Sequence, residues 1–230
     1  MTDLDAFWSN RMTTEQFIFK EFVALENPTG MRAAGLSEML TCLRSVEENV
    51  LYNHLFLSHL RQRRQRWEYP NDFARWAAYS LNDFVLAEAL ANYSPFERKD
   101  MSVIRDDLMG IFDDHMWDYG GREVVRRGRE FYFNGATSFV FDSRYRVNNL
   151  HELRDGLKKV SLSSLYYHYF EACIRQPGTV DDISFWIEHN LNLPDLVGQM
   201  RGWDYYFLSL SDLRDKIVRV LGNYLANNHT

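Results

Sequence analysis

Cysteine, lysine and proline are scarce in this chain, and no run of apolar residues is long. Two cysteines stand among 230 residues. Cys42 and Cys173 share neither a Cys-x-x-Cys spacing nor the framework of a small secreted domain, which excludes a disulfide scaffold and leaves two buried, reduced thiols. No stretch approaches the roughly 20 apolar residues that cross a bilayer. The opening Met1 to Trp8 lacks the basic start and apolar core of a signal peptide, so the expectation is a cytoplasmic protein with no membrane contact. Missing too are a phosphate-binding Gly-x-x-x-x-Gly-Lys loop, a Gly-x-Gly-x-x-Gly turn, a Gly-x-Ser-x-Gly elbow and a Cys/His nucleophile pattern. The chain therefore names no reaction and implies no cofactor.

What is present is apolar and aromatic. Hydrophobic residues make up 46% of the chain and aromatic residues 15%, enough for a sizeable core. The net charge of −6 argues against a general nucleic-acid binder. Five of the 26 basic residues are lysine, so 21 are arginine. Arginine's planar fork suits carboxylates, phosphates and aromatic faces, and this bias favours defined contacts over diffuse attraction.

The sequence also resembles itself. At an offset of 114, Phe17, Phe19, Arg32, Leu36, Glu38, Leu43 and Val46 meet Phe131, Phe133, Arg146, Leu150, Glu152, Leu157 and Val160. The register continues through Leu51-Tyr52-Asn53-His54-Leu55-Phe56 on Leu165-Tyr166-Tyr167-His168-Tyr169-Phe170. About 13 of 46 positions are identical, against roughly three for unrelated sequence. Past Gln62 the offset shortens, pairing Asp72 with Asp182, Trp76 with Trp186 and Asn82 with Asn192. The expected organisation is a lead-in over 1–16, a first copy over 17–117, a Gly/Arg connector over 118–130 and a second copy over 131–226, packed as one body. The expected fold class is mainly α: two tandem helical repeats related by a pseudo-two-fold axis, each opening with a short strand or extended segment.

Within each copy, Leu36, Met39, Leu40 and Leu43 recur at helical spacing and predict a first helix over 36–45, matched by 150–159. A second is expected over 47–64 and 161–175. A third starts at Asn71-Asp72 and Asp181-Asp182, whose side chains suit a helix N-terminus. A fourth spans 84–92 and 194–201, and the last runs over 102–116 and 211–225.

The Tyr-x-His-x-Phe pattern precedes Asn71-Asp72-Phe73-x-x-Trp76, with Leu36-x-Glu38-x-x-x-x-Leu43-x-x-Val46 ahead of both. In this order of elements the chain resembles an uncharacterised bacterial and archaeal family known only as a domain of unknown function. The resemblance covers most of both copies and carries no catalytic residues with it. It implies an accessory role beside carbohydrate-active enzymes, glycosyltransferases above all. Copy two departs from the pattern at Asp181-Asp182-Ile183 and at Arg144, which stands where copy one has Gly30.

His54 and His168 are the candidate catalytic residues, since imidazole exchanges protons near neutral pH. The alternative is a hydrogen-bonded core histidine in each copy. On the functional reading, His54, His168, Tyr52 and Tyr166 line a pocket between the copies. Arg32 and Arg146, ahead of the first helices, either clamp an anionic ligand or pair with Glu38 and Glu152. Asp72 and Asp182 read as a carboxylate pair or as helix caps. No metal is implied: His168-x-x-Glu171 and Asp113-Asp114-His115 are unrepeated and short of a ligand set.

The copies differ most between their second and third helices. There the first carries Arg63-Arg64-Gln65-Arg66-Trp67-Glu68-Tyr69, in which Arg63, Arg64, Arg66, Trp67 and Tyr69 could grip a partner surface by charge and stacking. Arg122, Arg126, Arg127 and Arg129 add charge in the connector, and the bland reading of both is a solvated loop. Three functions remain open: a non-catalytic protein-interaction or regulatory module, an enzyme or anionic small-ligand sensor, and RNA or nucleotide binding through the arginine-rich segment. The first is preferred, because no reaction motif is present. The oligomeric state is left open.

Overall fold

The structure, a computed structural model, describes residues 15–61, 68–98, 100–120, 124–175, 181–203 and 205–227. Two long strands, β1 (Phe17–Ala33) and β2 (Phe131–Val147), pair in a two-stranded sheet. Gln16, just before β1, donates to Asn148, just after β2, while Thr29 near the end of β1 donates to the Phe133 carbonyl near the start of β2. The strands are therefore antiparallel. Between them lie α1 (Leu36–Ser45), α2 (Glu48–Leu55), α3 (Leu57–Arg61), α4 (Asp72–Trp76), α5 (Phe84–Ala91) and α6 (Met101–Tyr119). After β2 come α7 (Leu150–Lys159), α8 (Leu162–Tyr166), α9 (Ala172–Arg175), α10 (Asp182–Asn190), α11 (Pro194–Met200) and α12 (Leu210–Asn227).

The mainly helical expectation of two tandem repeats, each with at most a short strand, is corrected. Helix takes 63% and strand 18% of the described residues, and the fold is an α/β mixture built on strands of 17 residues each. Pro28 and Gly30 look like the end of a strand, because both are turn formers. In a two-stranded sheet each strand has one unpaired edge, where a residue lacking an N–H costs no ladder bond. Gly30 takes φ +79° there without a Cβ penalty.

Two compact units divide the chain: a mid-chain unit of residues 24–61 and 68–138, and an end-chain unit of residues 15–23 and 139–227. Their boundaries cut both strands, so they do not coincide with the 17–117 and 131–226 segments. Phe17 packs on Trp186, at 5.7 Å between ring centroids, inside the end-chain unit. Phe131 stacks on Phe73 at 4.8 Å inside the mid-chain unit. Each aromatic strand segment thus serves helices from the other half of the sequence.

In the mid-chain unit, α1 buries Leu36, Met39, Leu40 and Leu43 and packs on α6, whose Ile104, Leu108 and Phe112 recur every fourth residue. Arg105 of α6 donates to the carbonyls of Leu43 and Val46 at the end of α1, filling acceptors that a helix C-terminus leaves open. Asn71 caps α4 by accepting from the Ala74 amide at 2.9 Å. That helix runs on into a π-helical turn, Ala77–Leu81, which ends on Asn82 in the left-handed region at φ 60°.

In the end-chain unit, Asn149 accepts from the Glu152 amide at 2.9 Å, and Glu152 accepts from the Asn148 amide at 2.8 Å. The first bond caps α7, and the second ties the Glu152 side chain to the residue before the cap. Leu150, Leu153 and Leu157 of α7 face α12, where Leu213, Ile217, Leu221 and Leu225 form the buried stripe. Gly156 allows α7 to close on β1: a Cβ there would stand 2.8 Å from a ring carbon of fully buried Phe19 and 3.3 Å from Val147. Gly156→Val is therefore expected to lower the unfolding free energy by about 1–3 kcal/mol, the usual cost of overpacking a filled core, as read from urea denaturation.

Candidate functional site

The repeated histidines are the first place to look for chemistry. In the mid-chain unit, α2 carries Asn53 and His54 to β2. His54 Nε2 accepts from the Asn134 backbone amide at 3.0 Å, and Asn53 Nδ2 donates to the Asn134 carbonyl at 2.9 Å. His54 Nδ1 meets Asp72 Oδ2 at 2.7 Å, and Asp72 also pairs with Arg61 and Arg75. In the end-chain unit, His168 Nε2 accepts from the Lys20 amide of β1 at 2.8 Å, its Nδ1 meets Asp182 Oδ2 at 2.9 Å, and Arg175 reaches the same carboxylate at 2.7 Å. Asp72 and Asp182 are the first residues of their helices. The caps are their predecessors, Asn71 and Asp181, which frees both carboxylates to hold an imidazole.

A ring nitrogen that accepts an amide N–H carries no proton, so each histidine is the neutral tautomer with its hydrogen on Nδ1, pointed at the aspartate. Exposure is 5% for His54 and 3% for His168. Burial is the main cause that pushes His54 down to about 3, with the Arg61 charge adding to it, and burial likewise lowers His168 against the pull of Asp182. Both nitrogens of both rings are engaged within their own unit, and neither ring offers a site for proton exchange near neutral pH.

The other residues singled out by pattern are scattered. Tyr52 is half-buried and stacked on Phe56, while Tyr166 is fully buried between Phe22 and Phe170. Arg32 and Arg146 stand exposed at strand ends. The carboxylates of Glu38 and Glu152 accept from the backbone amides of Ala34 and Asn148. Arg63, Arg64, Arg66 and Trp67 lie outside the described residues. Tyr69 is 2% exposed, its ring edge-on to Tyr79, which removes it from any partner surface. Among the described residues no three His, Cys, Asp or Glu side chains converge as metal ligands, and no helix is long and apolar enough to cross a membrane.

An open cavity of about 560 Å³ lies in the mid-chain unit. One wall is the π-helical turn with its left-handed end: Tyr79, Ser80, Leu81 and Asn82. The other is Val124, Val125, Arg126 and Arg129 of the segment before β2. That segment is tied down at both ends, because the Val125 amide donates to the Ala34 carbonyl at 2.7 Å and the Trp76 indole donates to the Arg129 carbonyl at 3.1 Å. The arginines are visible in the sequence as a charge run. Their partners across the groove are not, since a π-helical turn has no signature in a 3.6-residue period.

Comparison with known proteins adds a family and a fold. A model described as a family of unknown function, DUF5752, matches residues 14–222. Among solved structures, OrfY from Thermoproteus tenax matches with a TM-score of 0.75 at 24% identity, covering 94% of this chain and 98% of that one. At that identity the likeness concerns the fold alone. No curated protein matches.

The buried histidines make stability depend on pH. Both folded-state pKa values lie below the ordinary value of 6.5. Their contribution is therefore complete above that pH and is lost as pH falls toward the folded values. The unfolding free energy should decline below pH 6.5 by up to about 1.4 kcal/mol per pH unit for each histidine. Urea denaturation at stepped pH checks this, and His168→Asn should flatten the decline.

Proposed function

We propose that this chain, which belongs to the DUF5752 family of unknown function, is a non-catalytic interaction module that docks an extended segment of a protein partner. The observation that carries this reading is the outer stretch of β2 in the end-chain unit. Phe139, Val140 and Phe141 follow one another at 51%, 44% and 52% exposure, with Val23 of β1 at 42%. Successive strand residues point to opposite faces, so both faces of the strand are apolar here. Contiguous exposed apolar surface is the usual mark of an interaction site. Among the described residues β2 has β1 as its one neighbour, which leaves its other edge for a partner strand that would add backbone bonds to side-chain contacts. The family resemblance implies a carbohydrate-active enzyme as the partner.

The catalytic reading draws no support from His54 and His168, which are bonded at both nitrogens. A ligand-binding reading is favoured by a different observation, the arginine-lined cavity of the mid-chain unit.

The test is affinity purification of the tagged full chain from its native cells, with Phe139→Ser/Phe141→Ser in parallel and circular dichroism to verify folding. Wild type should retain a stoichiometric protein that the double variant loses. A wild-type chain that elutes alone, or a variant that keeps the same protein, overturns the proposal. A dimer that dissolves in the variant reassigns the strand to self-association.

A further inference from the structure

The groove of the mid-chain unit supports a conclusion that does not rest on the docking strand. Its volume of about 560 Å³ falls among small-molecule sites, which span roughly 300–1,000 Å³. The Arg129 amide donates to the Arg126 carbonyl at 3.0 Å, with Gly128 between them at φ +86°. This is a β-turn with its first and fourth residues close together, so Arg126 and Arg129 flank one turn and both line the groove. Both arginines are exposed, and among the described residues neither has an ion-pair partner.

The nearby carboxylates are bonded to neutral donors and, among the described residues, form no ion pair with Arg126 or Arg129. Glu130 accepts from the Gly128 amide at 2.7 Å, and Glu68 accepts from the Tyr79 hydroxyl at 3.0 Å. Backbone amides, its own and that of Gly128, hold the Glu130 carboxyl below its usual range, and Arg32 and Arg127 reinforce them. The charged side chains among the residues lining the groove are Arg126 and Arg129, in a chain whose net charge is −6. Ser80 and Asn82 add a hydroxyl and an amide to the lining, and Tyr79, Leu81, Val124 and Val125 add apolar side chains, with Tyr79 half exposed.

We infer that this groove binds a small metabolite bearing a phosphate monoester, with the phosphate between Arg126 and Arg129 and the body of the ligand against Tyr79. One guanidinium satisfies a carboxylate through its two parallel N–H groups. Two unpaired guanidiniums match the three oxygens and double charge of a phosphate monoester. A polynucleotide is disfavoured by the acidic charge of the remaining surface, which repels the flanking phosphates.

Calorimetric titration of the full chain with inorganic phosphate, glucose 6-phosphate and AMP tests the inference. Sulfate, glucose, adenosine and a short single-stranded RNA serve as counterparts. At least one monoester should bind more tightly than inorganic phosphate and than its unphosphorylated parent. Arg126→Ala/Arg129→Ala should weaken that binding about tenfold or more, while Arg201→Ala, on the end-chain unit, should leave it unchanged. Circular dichroism checks that the variants fold. The inference is overturned if no monoester binds, if the double variant binds as wild type does, or if sulfate binds as tightly as the monoesters. RNA binding that requires both arginines, without monoester binding, would replace it with a nucleic-acid site.

Discussion

In each unit one imidazole holds a strand amide with one nitrogen and the carboxylate at a helix start with the other. A two-stranded sheet is marginal by itself in water. Here it lies against helices whose histidines meet its backbone, so the strand's polar groups are satisfied where its Phe side chains enter the core. An unbonded buried amide costs about 1–3 kcal/mol. The tryptophans add a second tie two residues before each strand, Trp76 to the Arg129 carbonyl and Trp186 to the Glu15 carbonyl. Arg61 and Arg75 pair with Asp72, and against the effect of burial the His168 ring, reinforced by Arg175, holds the Asp182 carboxyl below its usual range.

Those ties determine where function can reside. A histidine fixed as a neutral Nδ1–H tautomer and sealed from water is a structural pin, and the acid–base chemistry that the Tyr-x-His-x-Phe pattern suggests has no free nitrogen to run on. What remains open is surface. The outer stretch of β2 exposes apolar side chains on both faces, and the groove beside the π-helical turn exposes two arginines without carboxylate partners. The first is the basis of the proposed interaction module, and the second that of the proposed phosphate site.

The sequence shows its helices well wherever one apolar stripe repeats at 3.6 residues. α1 and α7 stand at 36–45 and 150–159 as expected, and α6 and α12 follow the stripes of Ile104-Leu108-Phe112 and Leu213-Ile217-Leu221. The helix expected over 47–64 breaks at Phe56, and its counterpart over 161–175 passes through a π-helical turn at Tyr167–Glu171, features that a regular period cannot register. The strands were under-read because their middles are solvated on both faces and lack the alternation of a half-buried strand. The histidine partners were hidden for another reason. Each is a backbone amide, 80 residues from His54 and 148 from His168, and a backbone amide carries no side-chain signature.

The measurement that bears most directly on this account is nitrogen-15 NMR of the histidine side chains in the folded protein across a pH titration. His54 and His168 should both show the Nδ1–H neutral pattern, His54 should hold it unchanged between about pH 8 and 5, and His168 should hold it through the ordinary histidine value. Either ring titrating near the ordinary histidine value of about 6.5, or carrying its proton on Nε2, would contradict the pinning of the strands by imidazole.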